Sequence, residues 1–442
     1  MIETSPLVAV IILFSSLLML LALGLPVVFA LGGAGVVCIL LLWGPQALSL
    51  TVQSAWTTML FYTLIAIPFF VFMAMILQGS GIADDLFYSM RLWFAGVPGG
   101  LAMGVVVICT IVAAMTGISA TGVVTMGILA LPIMLRLGYN KTIALGPILA
   151  GGALGFLIPP SVAFVLYGAL VHVSIGRLFM GGIVPGLILS FLYMAYIFVR
   201  CSLQPDLGPP LPREERGTFR QKVVSMKSLA LPGILIAIVL GTIFAGIASP
   251  TESAAAGAVG AMICAAIHRR LNWAMFKEAG ISTFKISGMV MWILIGAYTY
   301  KAVFFGVGGP ALIREFLGGL PVAPVVIIFM MQVSFMILGC FLSELPIMMM
   351  TLPAYIPIIE MFGYSKIWFG VLFLVNMQMA YLTPPFGFCL FYMKGVAPPE
   401  VSMGDIYRSI LPFVGIQFIC LMLLLFFPQL ALWLPDLVFK AM

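Results

Sequence analysis

Long apolar stretches separated by short polar segments run through this sequence and constrain its fold more than any other feature. About 20 apolar residues are enough to cross a membrane as a helix. The stretch 5–44 divides at Gly24–Pro26 into two spans, and eight further stretches bring the total to ten. These eight are 55–78, 142–172, 178–200, 227–248, 252–267, 283–303, 367–397 and 407–433. The pattern predicts an all-α polytopic membrane protein.

Charged side chains are too few to cover a surface that faces water. Asp, Glu, Lys and Arg make up 8% of the residues, whereas soluble domains carry about 25%. A water-soluble enzyme and a nucleic-acid binder are therefore excluded, and a lipid bilayer is the expected surrounding. An intramembrane enzyme would need a catalytic pair at membrane depth, and the sequence offers none. It also lacks a nucleotide-binding P-loop, and we predict no cofactor.

The basic residues indicate the orientation of the chain in the membrane. The segment 201–226 is the one long polar loop, and it holds the densest basic cluster. Lys and Arg in loops mark the cytoplasmic side, so this loop is predicted to be cytoplasmic. Counting the ten spans from there places both termini outside.

Two more apolar stretches, about 98–136 and 323–361, carry Gly, Ser and Pro at their centres. Each could form two full spans or one re-entrant hairpin, and the charge distribution fits both. We take the re-entrant hairpin as our prediction.

The sequence contains an internal repeat. A shift of 225 residues places Pro132–Tyr167 on Pro357–Tyr392 without a gap, with ten of 36 positions identical, among them two adjacent prolines. The predicted halves are 1–200 and 227–442, each with five spans and one hairpin. Because five crossings is an odd number, the halves are expected to have opposite orientations. Inverted repeats with broken helices are typical of secondary transporters.

Adjacent prolines break one predicted span in each half, 142–172 and 367–397. A proline has no N–H and blocks the carbonyl four residues back, so each pair should leave two carbonyls without helical partners. Such carbonyls are costly in hydrocarbon unless protein, water or an ion satisfies them. A structural kink is the alternative. The residues concerned are Gly155, Phe156, Pro159 and Pro160 in the first half and Ala380, Tyr381, Pro384 and Pro385 in the second.

The hairpin centres bring small and polar residues between apolar arms. The first centre is Thr116–Gly122 and the second is Leu342–Pro346; a tight turn in an ordinary helical hairpin is the alternative for each. Two hairpin tips and two breaks would together build a pocket near the middle of the membrane. Its carbonyl and hydroxyl oxygens suit a small hard cation. The first half contributes no carboxylate, which favours Na⁺ as the coupling ion, while Glu344 keeps a proton possible.

Two polar motifs lie outside the hairpin centres and the proline breaks. Ser249 and Glu252 fit a helix capping box, which we interpret as structural rather than as part of a substrate site. Asn376 and Gln378 lie inside a span and either pack between helices or line the pocket.

The combined motifs resemble the large membrane subunit of tripartite ATP-independent periplasmic (TRAP) transporters over nearly the whole chain. They are Pro98–Leu101, Thr116–Gly122, Gly151–Ser161, Ser249–Glu252 and Thr383–Gly387. The ending at 386–400 is more similar to the branch for mannitol/chloroaromatic or 2-oxo acid uptake than to the C4-dicarboxylate branch.

The resemblance implies a carrier that works by an elevator mechanism, with a transport domain moving against a scaffold. It implies Na⁺-coupled import of a small organic acid across the bacterial inner membrane, delivered by a soluble periplasmic binding protein. A small four-span membrane subunit would be the partner. A stand-alone divalent-anion/Na⁺ symporter is the alternative, although the Ser-Asn-Thr tips of such carriers are absent here.

The resemblance also implies site residues. By motif position, the predicted cation ligands are Thr116, Gly117, Ser119, Thr121, Gly155, Phe156 and Pro159 in the first half and Ser343, Glu344, Ala380, Tyr381, Thr383 and Gly387 in the second. The predicted substrate contacts are Ser119, Ser161, Ser343, Thr383 and Asn376. Many relatives carry an acidic residue where Ser343 stands, whereas the acid here is Glu344.

Overall fold

A computed structural model describes residues 5–212, 214, 216–318, 321–385 and 387–439 of the chain. Within these ranges the regular structure is helical throughout. Arg213 and Glu215 of the basic loop and Phe386 of the second break lie outside the described residues.

The first half contains ten α-helices and short 3-10 turns. They are α1 (Pro6–Ala22), α2 (Val27–Leu42), α3 (Ser49–Met59), α4 (Ala66–Gly79), α5 (Ile82–Phe94), α6 (Gly100–Thr116), α7 (Ser119–Arg136), α8 (Lys141–Ala153), α9 (Val162–Val171) and α10 (Ile175–Leu203). A 3-10 turn at 62–65 leads into α4, and another at 154–156 continues α8.

The second half repeats this order after a connecting helix, α11 (Phe219–Ser225). The helices are α12 (Lys227–Phe244), α13 (Pro250–Ile267), α14 (Trp273–Gly306), α15 (Gly309–Gly318), α16 (Pro324–Gly339), α17 (Glu344–Met361), α18 (Lys366–Ala380), α19 (Phe388–Val396), α20 (Met403–Phe426) and α21 (Gln429–Phe439). The repeat, the re-entrant course of the hairpins and the opposite orientation of the halves stay predictions.

Seven helical segments are long and apolar enough to cross a membrane, among the described residues. This number is smaller than the ten predicted spans because several apolar helices are shorter than 18 residues. Glycine and proline end α1 and begin α2, and the two proline pairs cut their spans into α8 with α9 and α18 with α19. The all-α membrane architecture predicted from the sequence is confirmed.

Contacts between the halves follow the repeat. Helix α2 packs against α14, and their counterparts α13 and α4 pack against each other. Glycines allow the close approach of α2 and α14: a Cβ on Gly296 would lie 3.0 Å from the backbone nitrogen of Gly32 and from the Val28 carbonyl oxygen. Direct backbone contact therefore joins the two halves.

The polar loop folds back onto the helices of the first half. The indole Nε1 of Trp93 donates to the Lys222 carbonyl at 3.0 Å, and the Gly99 amide donates to the Gly208 carbonyl at 2.8 Å. The Asn140 amide, between α7 and α8, donates to the Leu207 carbonyl at 2.9 Å. The loop also contains α11, which the sequence reading missed and which a Thr218–Gln221 capping box begins. Hydrogen bonds from the loop therefore connect the starts of α6 and α8 to the segment that follows α10.

Replacing Gly296 with Val should lower the stability of the protein by about 1–3 kcal/mol, because the added atoms would overlap backbone that cannot rotate away. The matched control is Gly288→Val on the same helix, where a Cβ would meet nothing within 4 Å. The measurement is thermal unfolding of the purified chain in detergent. Equal melting temperatures for the two variants would contradict the packing described here.

Candidate functional site

The tip of the first hairpin lies directly on the first break. Helix α6 ends at Thr116, Gly117 takes a left-handed φ of 63°, and α7 begins at Ser119. A side chain on Gly117 would overlap the carbonyl of Pro160. From the other side, a Cβ on Gly155 would lie 2.9 Å from the Ser119 backbone nitrogen. Gly117 and Ser119 of the first tip are therefore in direct contact with Pro160 and Gly155 of the first break.

At the first break, a side chain of the break itself forms a hydrogen bond with one of the freed backbone carbonyls. The Ser161 hydroxyl donates to the Phe156 carbonyl at 2.7 Å and accepts from the Phe164 amide at 3.4 Å, so it also caps the start of α9. This side-chain partner takes the place of the helical amide that Pro160 cannot supply. The Gly155 carbonyl has no donor among the described residues, since Pro159 at the matching position has no N–H.

The second break has the same form with different partners. The Ala380 carbonyl accepts from the Thr383 amide at 3.0 Å, and the Tyr381 carbonyl accepts from the Cys389 amide at 3.2 Å. Pro384 and Pro385 at the matching helical positions have no N–H, and the turn of the chain brings these other amides to the two carbonyls. A carbonyl has two lone pairs, so each can still accept a second interaction. The Pro159–Pro160 and Pro384–Pro385 peptide bonds are both cis.

The tip of the second hairpin is joined to the second break by a side-chain hydrogen bond. The hydroxyl of Tyr381 donates to a carboxylate oxygen of Glu344, the first residue of α17. Gly339, at the end of α16, lies against Ala380 at the end of α18. Ser343 precedes α17 without a side-chain capping bond, and the Thr383 hydroxyl donates to the Met379 carbonyl at 2.7 Å.

The two halves meet where their breaks meet. The ring centroids of Phe156 and Tyr381 are 4.6 Å apart in an edge-to-face arrangement, and Tyr381 lies 4.8 Å from the ring of Phe388. Ser119 of the first tip faces the Cys389 thiol at the start of α19. We call this region, built from Phe156, Ser119, Glu344, Tyr381 and Cys389, the central cluster.

The chemistry of the central cluster limits what it can hold. It combines one carboxylate with hydroxyl and carbonyl oxygens. No group of three or more His, Cys, Asp or Glu side chains is close enough to hold a metal within the described ranges. Oxygen ligands with a single carboxylate suit a small hard cation better than a transition metal.

Other predicted site residues lie away from this meeting point. Thr116 and Thr121 line a small recess toward Gln78 of α4. Asn376 is fully buried, and its amide donates to the Gln332 backbone carbonyl at 2.7 Å and side-chain oxygen at 3.1 Å. This contact joins α16 to α18 and favours the packing alternative. Gln332 was missed, although one amide in the apolar run 324–339 was a signal. Both polar atoms of Gln378 are buried and have no hydrogen-bond partner in the part of the chain that the structure describes.

Ser249 and Glu252 form the capping box of α13. The Glu252 carboxylate accepts from the Ser249 amide and hydroxyl, each at 2.7 Å. The same turn lines a cavity on the side where α9 ends.

Comparison with known proteins places this arrangement in a family. Residues 14–430 match the family model described as "Tripartite ATP-independent periplasmic transporter, DctM component". The chain belongs to this family. It is a TRAP transporter large subunit, a multi-pass membrane component of a secondary transporter rather than an enzyme, as the sequence predicted.

Individual relatives cover the chain from end to end. The C4-dicarboxylate TRAP transporter large permease protein DctM of Vibrio cholerae serotype O1 is 30% identical over 97% of this chain and 98% of its own length. The isethionate TRAP transporter permease protein DctMQ of Oleidesulfovibrio alaskensis is also 30% identical, over 96% of this chain and 66% of its own length. The predicted branch within the family stays a prediction.

A solved structure shows the same fold at low sequence identity. The Alcanivorax borkumensis YdaH transporter superposes with a TM-score of 0.57 at 18% identity, covering 85% of this chain and 89% of that one. This likeness concerns the fold alone.

The contact between the first tip and the first break predicts a large effect of Gly117→Ala. The substitution strains a left-handed residue by about 1–2 kcal/mol, and it also pushes the new side chain into the Pro160 carbonyl. Gly363→Ala is the matched control, with a φ of 72° and nothing within 4 Å of the added Cβ. Thermal unfolding should show that Gly117→Ala lowers the melting temperature clearly more than Gly363→Ala does. Similar losses for both would mean that the tip does not rest on the break.

Proposed function

We propose that this TRAP large subunit imports a small organic anion together with Na⁺. The observation that carries the proposal is the central cluster, where both hairpin tips and both breaks meet. Each piece brings oxygen atoms to the same region, and the backbone there is already diverted from helical hydrogen bonding. In membrane transporters, irregular backbone at membrane depth is tolerated where it lines such a site.

The donor atoms support Na⁺ as the coupling ion. In the first half, the Gly155 carbonyl has no donor among the described residues, and the backbone of Ser119, whose hydroxyl is the other proposed ligand, packs against Gly155. In the second half, the Glu344 carboxylate is held by Tyr381. Neutral carbonyl and hydroxyl oxygens can coordinate a hard cation, and one carboxylate balances a single positive charge, which suits a monovalent hard cation. The wider predicted set of cation ligands, Ser343 and Thr383 included, belongs to this proposal.

Organic anions are the proposed substrate class. The names of the two relatives above state C4-dicarboxylate and isethionate, and both are small organic anions. The proposed contacts are the hydroxyls of Ser119, Ser161, Ser343 and Thr383. The amide of Asn376 completes this proposed set. For Ser161, Thr383 and Asn376 these contacts would be additional to the hydrogen bonds they make in the fold.

An elevator mechanism needs two groups of helices that can move against each other. The contacts of α2 with α14 and of α4 with α13 form a layer that joins the two halves, and we propose this layer as the scaffold. The hairpins α6–α7 and α16–α17 with the broken helices α8–α9 and α18–α19 would form the transport domain.

The proposed setting follows the family. The large subunit would work in the bacterial inner membrane with a small four-span subunit and a soluble periplasmic binding protein. Its loop 201–226 would lie in the cytoplasm and its termini in the periplasm.

Uptake by proteoliposomes tests the function directly. Vesicles that contain both membrane subunits should accumulate a radiolabelled C4-dicarboxylate or isethionate when the binding protein and an inward Na⁺ gradient are both supplied. Uptake that persists without the binding protein would contradict the tripartite function and support a stand-alone symporter. Uptake driven equally by a proton gradient without Na⁺ would contradict the proposed coupling ion.

Removal of a single hydroxyl group tests the proposed Na⁺ site. Ser119→Ala removes an oxygen at the first tip and should weaken the apparent Na⁺ affinity in the uptake assay by about tenfold, since a lost ligand contact is worth about 1–2 kcal/mol. The control is Ser15→Ala on an exposed face of α1. If Ser119→Ala keeps the parent Na⁺ dependence, its hydroxyl is not a ligand.

A further inference from the structure

A cavity with a few polar groups is lined by residues other than those of the central cluster. It has a volume of about 210 Å³ and is enclosed by the end of α9, the last turns of α14 and the length of α17. Its apolar wall comes mainly from Met348, Met349 and Leu352. Its polar groups are His172, Lys301, Glu360 and Lys366. His172 also lines a wider neighbouring cavity of about 430 Å³ beside the α13 capping box.

Lys301 is the unusual residue of this cavity. It lies within the candidate span Trp273–Gly306, five residues before the helix ends. Its amine lies over the rings of Tyr298 and Phe305, 5.4 and 5.6 Å from their centroids. Among the described residues no carboxylate oxygen comes within 4.0 Å of it. An ionisable residue inside a membrane helix that faces a cavity is typical of a functional site.

The other charges around the cavity do not neutralise Lys301. The Glu360 carboxylate accepts from the Lys366 amine at 2.7 Å, so the one lining carboxylate already has a partner. His172 adds a ring that can donate a hydrogen bond. The cavity therefore keeps an excess of positive charge and N–H donors within an apolar wall.

We propose that this cavity binds the carboxylate group of an organic anion, with Lys301 as the counter-charge and His172 as a second donor. The proposal deepens the function proposed above, because the bound group belongs to the same class of substrate. The Lys301 amine is partly desolvated by aromatic rings and has no carboxylate partner among the described residues. A ligand that brings a carboxylate would supply this missing partner. By the predicted topology, the cavity opens on the outer side, where an incoming substrate first meets the protein.

The position of the cavity gives it a separate role from the central cluster. Lys301 belongs to α14, which packs against α2, α3 and α4, whereas the opposite wall belongs to the second hairpin. A carboxylate held there would bridge the proposed scaffold and the outer arm of the proposed transport domain.

Charge-selective labelling tests the site without relying on transport. Ile356 lines the cavity and is partly exposed, so Ile356→Cys places a thiol there in the full chain, reconstituted in nanodiscs. Its reaction rate is measured with a negatively charged and a positively charged methanethiosulfonate reagent, and the rate of the parent chain is subtracted. Six of the seven native cysteines are buried, which keeps this background low.

The expected result is a preference for the anionic reagent that depends on Lys301. Adding Lys301→Gln should lower the ratio of the anionic to the cationic rate by about tenfold, since one unit charge acts on the two reagents in opposite directions. Lys301→Arg should keep the ratio. The matched control is Lys285→Gln, exposed on the same helix toward its other end, and it should leave the ratio unchanged. An unchanged ratio in Lys301→Gln would overturn the proposal.

A protection experiment with a ligand distinguishes a carboxylate-binding site from a cavity that is only positively charged. Succinate should protect the introduced thiol from the anionic reagent, whereas chloride at the same ionic strength should not, and Lys301→Gln should abolish the protection. Equal effects of succinate and chloride would overturn the carboxylate site even if the ratio depends on Lys301. Uptake that proves independent of Na⁺ would contradict the function proposed above but leave the labelling result intact, so the two failures are distinguishable.

Discussion

The constraint on which this structure depends is that backbone polar groups cannot be left unsatisfied in hydrocarbon. A membrane helix meets it automatically, but this chain breaks two of its spans at paired prolines. Each break must then find other donors. In the first half the Ser161 hydroxyl reaches the Phe156 carbonyl, and in the second the Cys389 amide reaches the Tyr381 carbonyl. The helices around the breaks pack closely because the same region must also exclude lipid.

Close packing explains how distant parts of the sequence come together. Glycines at the tip and break of the first half let backbone touch backbone, as at Gly117 and Gly155. Aromatic contact between Phe156 and Tyr381 then joins the halves. The proposed binding region therefore draws on a break and a hairpin tip from each half. Family membership and the arrangement of the site agree on a transporter.

Much of the fold could be predicted from the sequence because membrane helices follow from apolar length and proline position. The repeat, the breaks and the capping box at Ser249 are local patterns that one sequence displays. The partners of the freed carbonyls could not be predicted, because Ser161 and Cys389 reach them through turns whose shape depends on tertiary packing. Gln332 and Lys301 were missed for a related reason: a lone polar residue in an apolar run does not reveal what lies opposite. Helix α11 was missed because it is only seven residues long and lies in a polar loop.

The hydrogen bonds of the Ser161 hydroxyl affect how the broken helices could move within the membrane. Donor and acceptor at this break are five residues apart in the chain, and the capped amide of Phe164 is three residues further on. The second break likewise holds its Ala380 and Tyr381 carbonyls within one short segment. Three of the four carbonyls at the two breaks therefore carry hydrogen-bond partners from their own segment. A block of helices that slid across the membrane would keep these bonds, so they would add nothing to the barrier to sliding.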